Sequence, residues 1–410
     1  MLDRFYLMWS DRYALAVLRD RLRQLTAAGL LLIFLTSCSI PRVSAEDRLF
    51  LNLSLDFLGQ YELPQSSFEK VPLGSISGIA YDRSSRSLSG KPGFRFYGVS
   101  DDPGLDAPPR FYTLRLELNS SDPEEIGIGE IEVEGVTFLK NKDGEFFSTG
   151  EVYPEGIVLS PRETVFVASV GKSDRRVPSS VGEFELNTGK LFGSLPLPDR
   201  YFPAEIDSEA DKDEPRGVRD GRGFDALTLD PTTFSPDGLD PFRLFVGVES
   251  PLLQDDDGRS PGKLRVLHYA IADRASLLVS ENFYQLDGIE ARADSSLVDL
   301  VALGKGSYFL SLERSGGESP QGGRFFEIFS GDATDTNRVV SLKQESPGIK
   351  PLRKKLLLDL AEVGLTGGNL TGMTNGPHLP DGSQSVVVVS NEEIGDRVVN
   401  QFLLFRLVEN

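Results

Sequence analysis

Ten positions of the chain fall into two recurring series. Ser77, Glu155, Asp225, Asp299 and Thr371 each open a short motif of small and apolar residues; Asp101, Val170, Glu249, Glu313 and Glu392 each close the hydrophobic run that follows. Seven of the ten are carboxylates, whereas 62 acidic residues in 410 would place one or two there by chance. Carboxylates brought together repel unless something neutralises them. Oxygen-only ligation suits a hard divalent cation, calcium or magnesium rather than zinc. The expected metal set is therefore Asp101, Glu155, Asp225, Glu249, Asp299, Glu313 and Glu392, with calcium as the first choice. A cation held this way polarises phosphate oxygens and activates water. Arg222 lies three residues before Asp225, and Arg314 adjoins Glu313. Guanidinium forks bind phosphate bidentately. The expected catalytic set is Glu155, Asp225, Glu313, Arg222 and Arg314. Val170, Ser77 and Thr371 interrupt the ring and make it asymmetric. The competing reading is that the acids keep strand ends solvated and the Arg residues pair with them.

Composition narrows the rest. The net charge is −19, which argues against nucleic acid or anionic membrane surfaces as partners. One Cys excludes a disulfide framework and a thiolate zinc site, and two His leave little room for a histidine base. His268 falls inside a predicted strand and His378 in a turn on the face away from the acids. No G-x-S-x-G elbow and no glycine-rich nucleotide loop is present. Asp207-Ser208-Glu209-Ala210-Asp211-Lys212-Asp213 and Asp255-Asp256-Asp257-Gly258 hint at calcium loops, yet neither fits the EF-hand spacing. They read as solvated loops.

The acids need a frame that repeats with them. The motif starts lie at 77, 155, 225, 299 and 371, so one unit of 70 to 78 residues recurs five times. A second run follows in each unit: Phe94–Val99, Val165–Ser169, Arg243–Val248, Ser307–Leu312 and Ser385–Ser390. Third runs are Arg110–Leu118, Val181–Leu186, Lys263–Ile271, Gly323–Phe329 and Asn400–Leu407. Fourth runs are Ile126–Phe138, Lys190–Leu197, Ser276–Leu286 and Lys355–Leu360. These short β-branched and aromatic stretches are strands. The fifth unit lacks a fourth run, and Leu49–Leu63 is a strand without a partner. The pattern predicts an all-β fold, a β-propeller of five four-stranded blades closed by the N-terminal strand, which removes exposed sheet edges. Six blades would require a strand within Asp199–Gly223, where none is evident.

Ahead of the repeats, Arg4, Arg12, Arg19, Arg21 and Arg23 precede an apolar stretch, Leu25–Leu35, too short to span a bilayer. This reads as an export signal over residues 1–45, ahead of a domain over 46–410. Two exits compete. Leu35-Thr36-Ser37-Cys38 resembles a bacterial lipobox, which would anchor the protein by a lipid on Cys38. Val43-Ser44-Ala45 fits ordinary signal cleavage. The expected location is outside the cytoplasm: periplasmic, outer-membrane lipoprotein or extracellular, as a monomer.

Tyr153-Pro154-Glu155-Gly156-Ile157, Gly221-Arg222-Gly223-Phe224-Asp225-Ala226-Leu227, Leu310-Ser311-Leu312-Glu313-Arg314 and Tyr97-Gly98-Val99-Ser100-Asp101-Asp102 resemble motifs of the phytase-like domain family, known for an esterase-like activity of phytase. The resemblance covers roughly residues 70–407. It implies an exported propeller whose acids hydrolyse phosphoesters. Val170 in unit two, and Asp225 where the family favours Glu, depart from its pattern. Three functions follow as expectations: a metal-assisted phosphoester hydrolase on a small phosphorylated or ester substrate, a lactonase or sugar-ester hydrolase, or a non-catalytic cell-surface binding propeller. Fold alone does not choose among them.

Overall fold

The computed structural model describes Arg19, Arg21 and residues 47–64, 66–86, 92–101, 107–119, 126–172, 175–202, 215–234, 241–258, 262–273, 275–287, 295–315, 322–344, 347–365, 368–394 and 397–410. Contacts divide the chain into Met1–Leu49 and Phe50–Asn410, and every strand lies in the second unit. The stretch read as an export signal, Cys38 included, lies outside the described residues apart from Arg19 and Arg21.

Five four-stranded antiparallel sheets form the blades of a β-propeller. Blade I is built from Ser75–Arg86, Phe94–Asp101, Arg110–Asn119 and Gly127–Phe138. Blade II comprises Pro154–Leu159, Thr164–Ser169, Ser180–Glu185 and Leu191–Ser194. Blade III runs Phe224–Leu229, Phe242–Val248, Lys263–Ala272 and Ala275–Gln285. Blade IV takes Ser296–Ala302, Tyr308–Ser315, Gly322–Phe329 and Arg353–Asp359. Blade V has Asn369–His378, Gln384–Ile394 and Arg397–Glu409, with Leu53–Glu62 as its fourth strand. Among the described residues of Asp199–Gly223 the only helical turn is the short Asp199–Tyr201, and no strand forms there.

Position in the blade explains each strand's composition. Thr164–Ser169 is buried at every residue because neighbouring blades cover both faces, so it reads as one continuous apolar run. Ala275–Gln285, at a blade's outer edge, alternates exposed and half-buried residues over its first half. Closure is an antiparallel pairing from Leu53↔Glu409 to Glu62↔Gln401. Phe405 stacks against Phe57 of the closing strand and Phe325 of blade IV at 5.4 and 5.0 Å. Burying one such ring contributes about 1.5–3 kcal/mol, so the two chain ends are fastened by packing as well as by the ladder.

One buried ionic network braces blade III. The Arg265 Nε donates to Asp255 Oδ2 at 2.6 Å, another guanidinium nitrogen contacts Glu281, and the Tyr201 hydroxyl donates to Glu281 at 2.6 Å. Asp256 pairs with Arg219. The Asp255–Gly258 stretch is thus not a solvated loop: its first acid is buried and bound to Arg265 because that guanidinium needs a counter-charge.

Candidate active site

A bulge opens every blade. The inner strand's pairing with the second strand shifts register between Ile76 and Gly78, Pro154 and Ile157, Phe224 and Leu227, Leu297 and Asp299, and Leu370 and Gly372. Bulges re-aim side chains, and the extra residue falls at Ser77, Glu155, Asp225, Val298 and Thr371. Alignment through the ladder gives the matching residues past the second strands as Asp101, Val170, Glu249, Arg314 and Asn391.

This register corrects three of the sequence-based positions. Asp299 follows the bulge residue Val298, Glu313 precedes Arg314, and Glu392 follows Asn391. A slip of one residue turns a strand side chain to the opposite face. Glu313 accordingly faces the interface of blades III and IV, where its oxygens accept bonds from the Tyr284 hydroxyl at 2.5 Å, the Asp287 N–H at 2.9 Å and the Lys354 ammonium. Burial raises its pKa, opposed mainly by Lys354. Glu392 is exposed beside Gln401. The Asp101 side chain lies outside the described residues. Among the described residues, Glu313 and Glu392 thus turn away from the expected ring.

Glu155, Glu249 and Asp299 all lie within electrostatic reach of Asp225. Burial raises the Asp225 pKa well above the ordinary value, and Glu155, Glu249 and Asp299 raise it further, against Arg314. Burial also raises Glu249, which is countered by Arg314, Arg222 and Lys172. Arg314 donates to Glu249 Oε1 at 3.1 Å and to the Leu370 carbonyl at 3.2 Å, which spans blades III, IV and V. Asp299 sits one layer deeper. It accepts the N–H groups of Leu227 at 3.3 Å and of Leu300 and Met373 at 2.8 Å. Burial pushes it up to about 8 despite those bonds. Asp299 therefore ties three inner strands together at the waist of the channel.

The inner strands approach closely at this level. A Cβ on Gly156 would meet the Asp225 carbonyl oxygen at 1.8 Å, and one on Gly78 would meet the Glu155 carbonyl at 2.3 Å. Glycine after the bulge lets the carboxylate-bearing residues of adjacent blades draw together.

Sequence reasoning missed Lys172 and Asn391. Lys172 lies 5.5 Å over the Tyr153 ring and within Coulombic reach of Glu249. Asn391 is buried, donates to the Ile76 carbonyl at 3.2 Å, and has an Oδ1 with no hydrogen-bond partner among the described residues. Counting from the bulge would have found Asn391. Nothing in the spacing marks Lys172.

The family model described as Phytase-like, esterase-like activity of phytase, matches residues 71–392. The chain belongs to the phytase-like family. The match takes in all four clustered carboxylates together with Lys172, Arg222, Arg314 and Asn391. Phytase-like propellers commonly depend on a metal ion. No curated protein matches the chain. Solved structures similar to this phytase-like propeller include "Structure of Dos1 propeller" (10% identity, 81% of this chain and 68% of that one, TM-score 0.33). Another is the Saccharomyces cerevisiae core factor (8% identity, 87% of this chain and 61% of that one, TM-score 0.26). Likenesses at this level carry no argument about function.

All the clustered donors are oxygens, which suits a hard cation. Among the described residues, however, no three acids are grouped as a metal centre, Asp299 already accepts three N–H groups, and Glu249 is bound to Arg314. Calcium in an all-protein cage takes six to eight oxygens, whereas magnesium is commonly held by one or two carboxylates, waters and a substrate phosphate. Such a donor set suits an ion of the second kind better than a calcium cage.

Proposed function

We propose that this phytase-like protein is an exported, metal-assisted phosphoester hydrolase whose active site is the rim where Glu155, Asp225 and Glu249 meet Arg314. The observation that carries this reading is the mixture at the rim. Asp225 lies within electrostatic reach of Glu155 and Glu249, and Glu249 within reach of Arg314, Arg222 and Lys172. Acids alone would repel a phosphate, and cations alone would bind it without activating water.

Each group has a role that its position supports. Glu155 and Asp225 would hold a divalent cation, which when bound supplies Lewis-acid polarisation of a phosphate oxygen. Arg314, anchored on Glu249 and on the Leu370 carbonyl, presents a fixed guanidinium to the phosphate. Arg222 and Lys172 add positive charge from the blade II–III side. Asp299 closes the waist below and fixes the register of the inner strands. Glu313 is assigned to packing between blades. The small phosphorylated substrate would approach from outside the cytoplasm, with the protein a monomer tethered through Cys38 or released after Ala45.

A second reading rests on Asp225. Burial and the neighbouring Glu155, Glu249 and Asp299 raise its pKa, which favours a role as general acid toward a lactone or sugar ester. Purified protein assayed on a phosphate monoester, a diester and a lactone, with chelator and then with magnesium, calcium or manganese, separates the two. Phosphoester turnover restored by a metal supports the first reading. Lactone turnover unaffected by chelator replaces it with the second, and no turnover on any substrate overturns both.

A further inference from the structure

A cavity opens at the other mouth of the channel. It has a volume of about 620 Å³ and is lined by the C-terminal ends of the inner strands. That size lies within the roughly 300–1,000 Å³ of small-ligand pockets. Asp299 separates it from the carboxylate rim, because the N–H groups it binds belong to Leu227 and Met373, which line the cavity.

Its polar groups carry both signs of hydrogen bonding. Asp82 is buried and 3.7 Å from Arg95, so the two charges offset each other. Ser160 and Thr228 are buried, and their hydroxyl oxygens accept the N–H groups of Arg162 at 3.0 Å and Ala302 at 2.8 Å. Each hydroxyl still has a proton to donate. Asn375 is 9% exposed and donates to the Ala302 carbonyl at 3.2 Å, while its Oδ1 has no partner among the described residues. A buried amide oxygen without a donor is destabilising, and a ligand hydroxyl donating to Asn375 Oδ1 would relieve that. Tyr97 and Leu227 add apolar surface to the wall.

We propose that this cavity is a second binding site, for a neutral saccharide of one to three rings. Ligand hydroxyls both donate and accept, which matches a wall of hydroxyl donors, an amide acceptor and an internally paired Asp–Arg couple. The ring faces of a sugar match the apolar patches. The charged lining residues Asp82, Glu163, Arg83 and Arg95 balance in sign, so the wall offers no net charge to an anion.

Titration calorimetry on the purified protein tests this with D-glucose, N-acetylglucosamine, maltose and maltotriose up to about 10 mM. At least one should bind one-to-one. Thr228→Val, and Asn187→Trp at an exposed position on the cavity's edge, should weaken binding by about tenfold or more. Both should retain their folded circular-dichroism spectrum and their hydrolysis at the rim. Glu155→Gln should bind the sugar as the unaltered protein does. Heat from none of the four sugars overturns the proposal. So does binding that is lost in Glu155→Gln but survives Asn187→Trp, which would put the sugar at the rim. Neither result bears on hydrolysis, which is read separately.

Discussion

Arg314 Nη2 lies 3.1 Å from Glu249 Oε1, and the two residues occupy the same register position of successive blades. The repeat thus supplies the acid in one blade and its partner cation in the next. Arg314 is 19% and Glu249 9% exposed, so removing one leaves the other largely desolvated. Arg314→Met should cost about 2–4 kcal/mol, read as a lower denaturation midpoint, and should abolish measurable phosphoester turnover. The double variant Arg314→Met/Glu249→Gln should recover most of the stability and none of the turnover. Recovered turnover would show that the pair is structural only.

Asp225 and Asp299 make stability depend on pH. Both pKa values are raised by burial, Asp299 to about 8. Between the ordinary carboxyl value and the raised one, the folded protein holds protons that the unfolded chain has released. Stability therefore falls as pH rises through that window and levels off above it. Thermal melts in chelator at fixed ionic strength should show the melting temperature decreasing from pH 5 to pH 8. Asp225→Asn removes one buried charge from among three neighbours, so it should raise the melting temperature at pH 8 and flatten the slope. A melting temperature that instead rises with pH in this window would mean the cluster is ionised and compensated.

Glu313 and Lys354 form a separate buried pair between blades III and IV, with the ammonium 4.2 Å over the Phe326 ring. Glu313→Gln would leave Lys354 without its counter-charge, at a cost of about 2–4 kcal/mol. Turnover per folded molecule should be unchanged. A drop in kcat with unaltered stability would return Glu313 to the active site.

The repeat was readable because each blade spends its residues the same way. Small residues start the inner strand, a β-branched run follows, and amphipathic strands come last, so strand bounds and ring closure follow from spacing alone. The site was only partly readable, because a bulge is an extra residue with no side-chain signature of its own. Aligning Asp299 with Asp225 is natural from Asp-Leu-Val-Ala and Asp-Ala-Leu-Thr, yet the ladder aligns Val298 with Asp225. That single offset puts Asp299 at the waist and, together with the neighbouring position on the second strand, gives Arg314 rather than Glu313 to the rim. Lys172 reaches the cluster from a turn, where no periodicity records direction.

The proposed export and anchoring would depend on residues 25–38. Cys38→Ser should shift the protein from the membrane fraction to the soluble exported fraction while leaving it outside the cytoplasm. An unchanged distribution would favour cleavage after Ala45 or no anchor.

The cation reading predicts a linkage between ion and stability. An ion that binds only the folded protein stabilises it by RT ln(1 + [L]/Kd), about 2.7 kcal/mol at a hundredfold excess over Kd. Salt alone also relieves repulsion among Glu155, Asp225 and Glu249, so the comparison belongs at fixed ionic strength. There, magnesium, calcium or manganese should raise the melting temperature at pH 8 more than at pH 5, because protons compete for Asp225. Glu155→Gln and Asp225→Asn should each blunt the rise, whereas Glu313→Gln and Glu392→Gln should not, since the register turns those side chains away. With only two carboxylates to hold it, the ion should bind more tightly when inorganic phosphate is present. If none of the three metals moves the melting temperature, with or without phosphate, the metal-assisted mechanism is wrong and Asp225 is left as a proton donor.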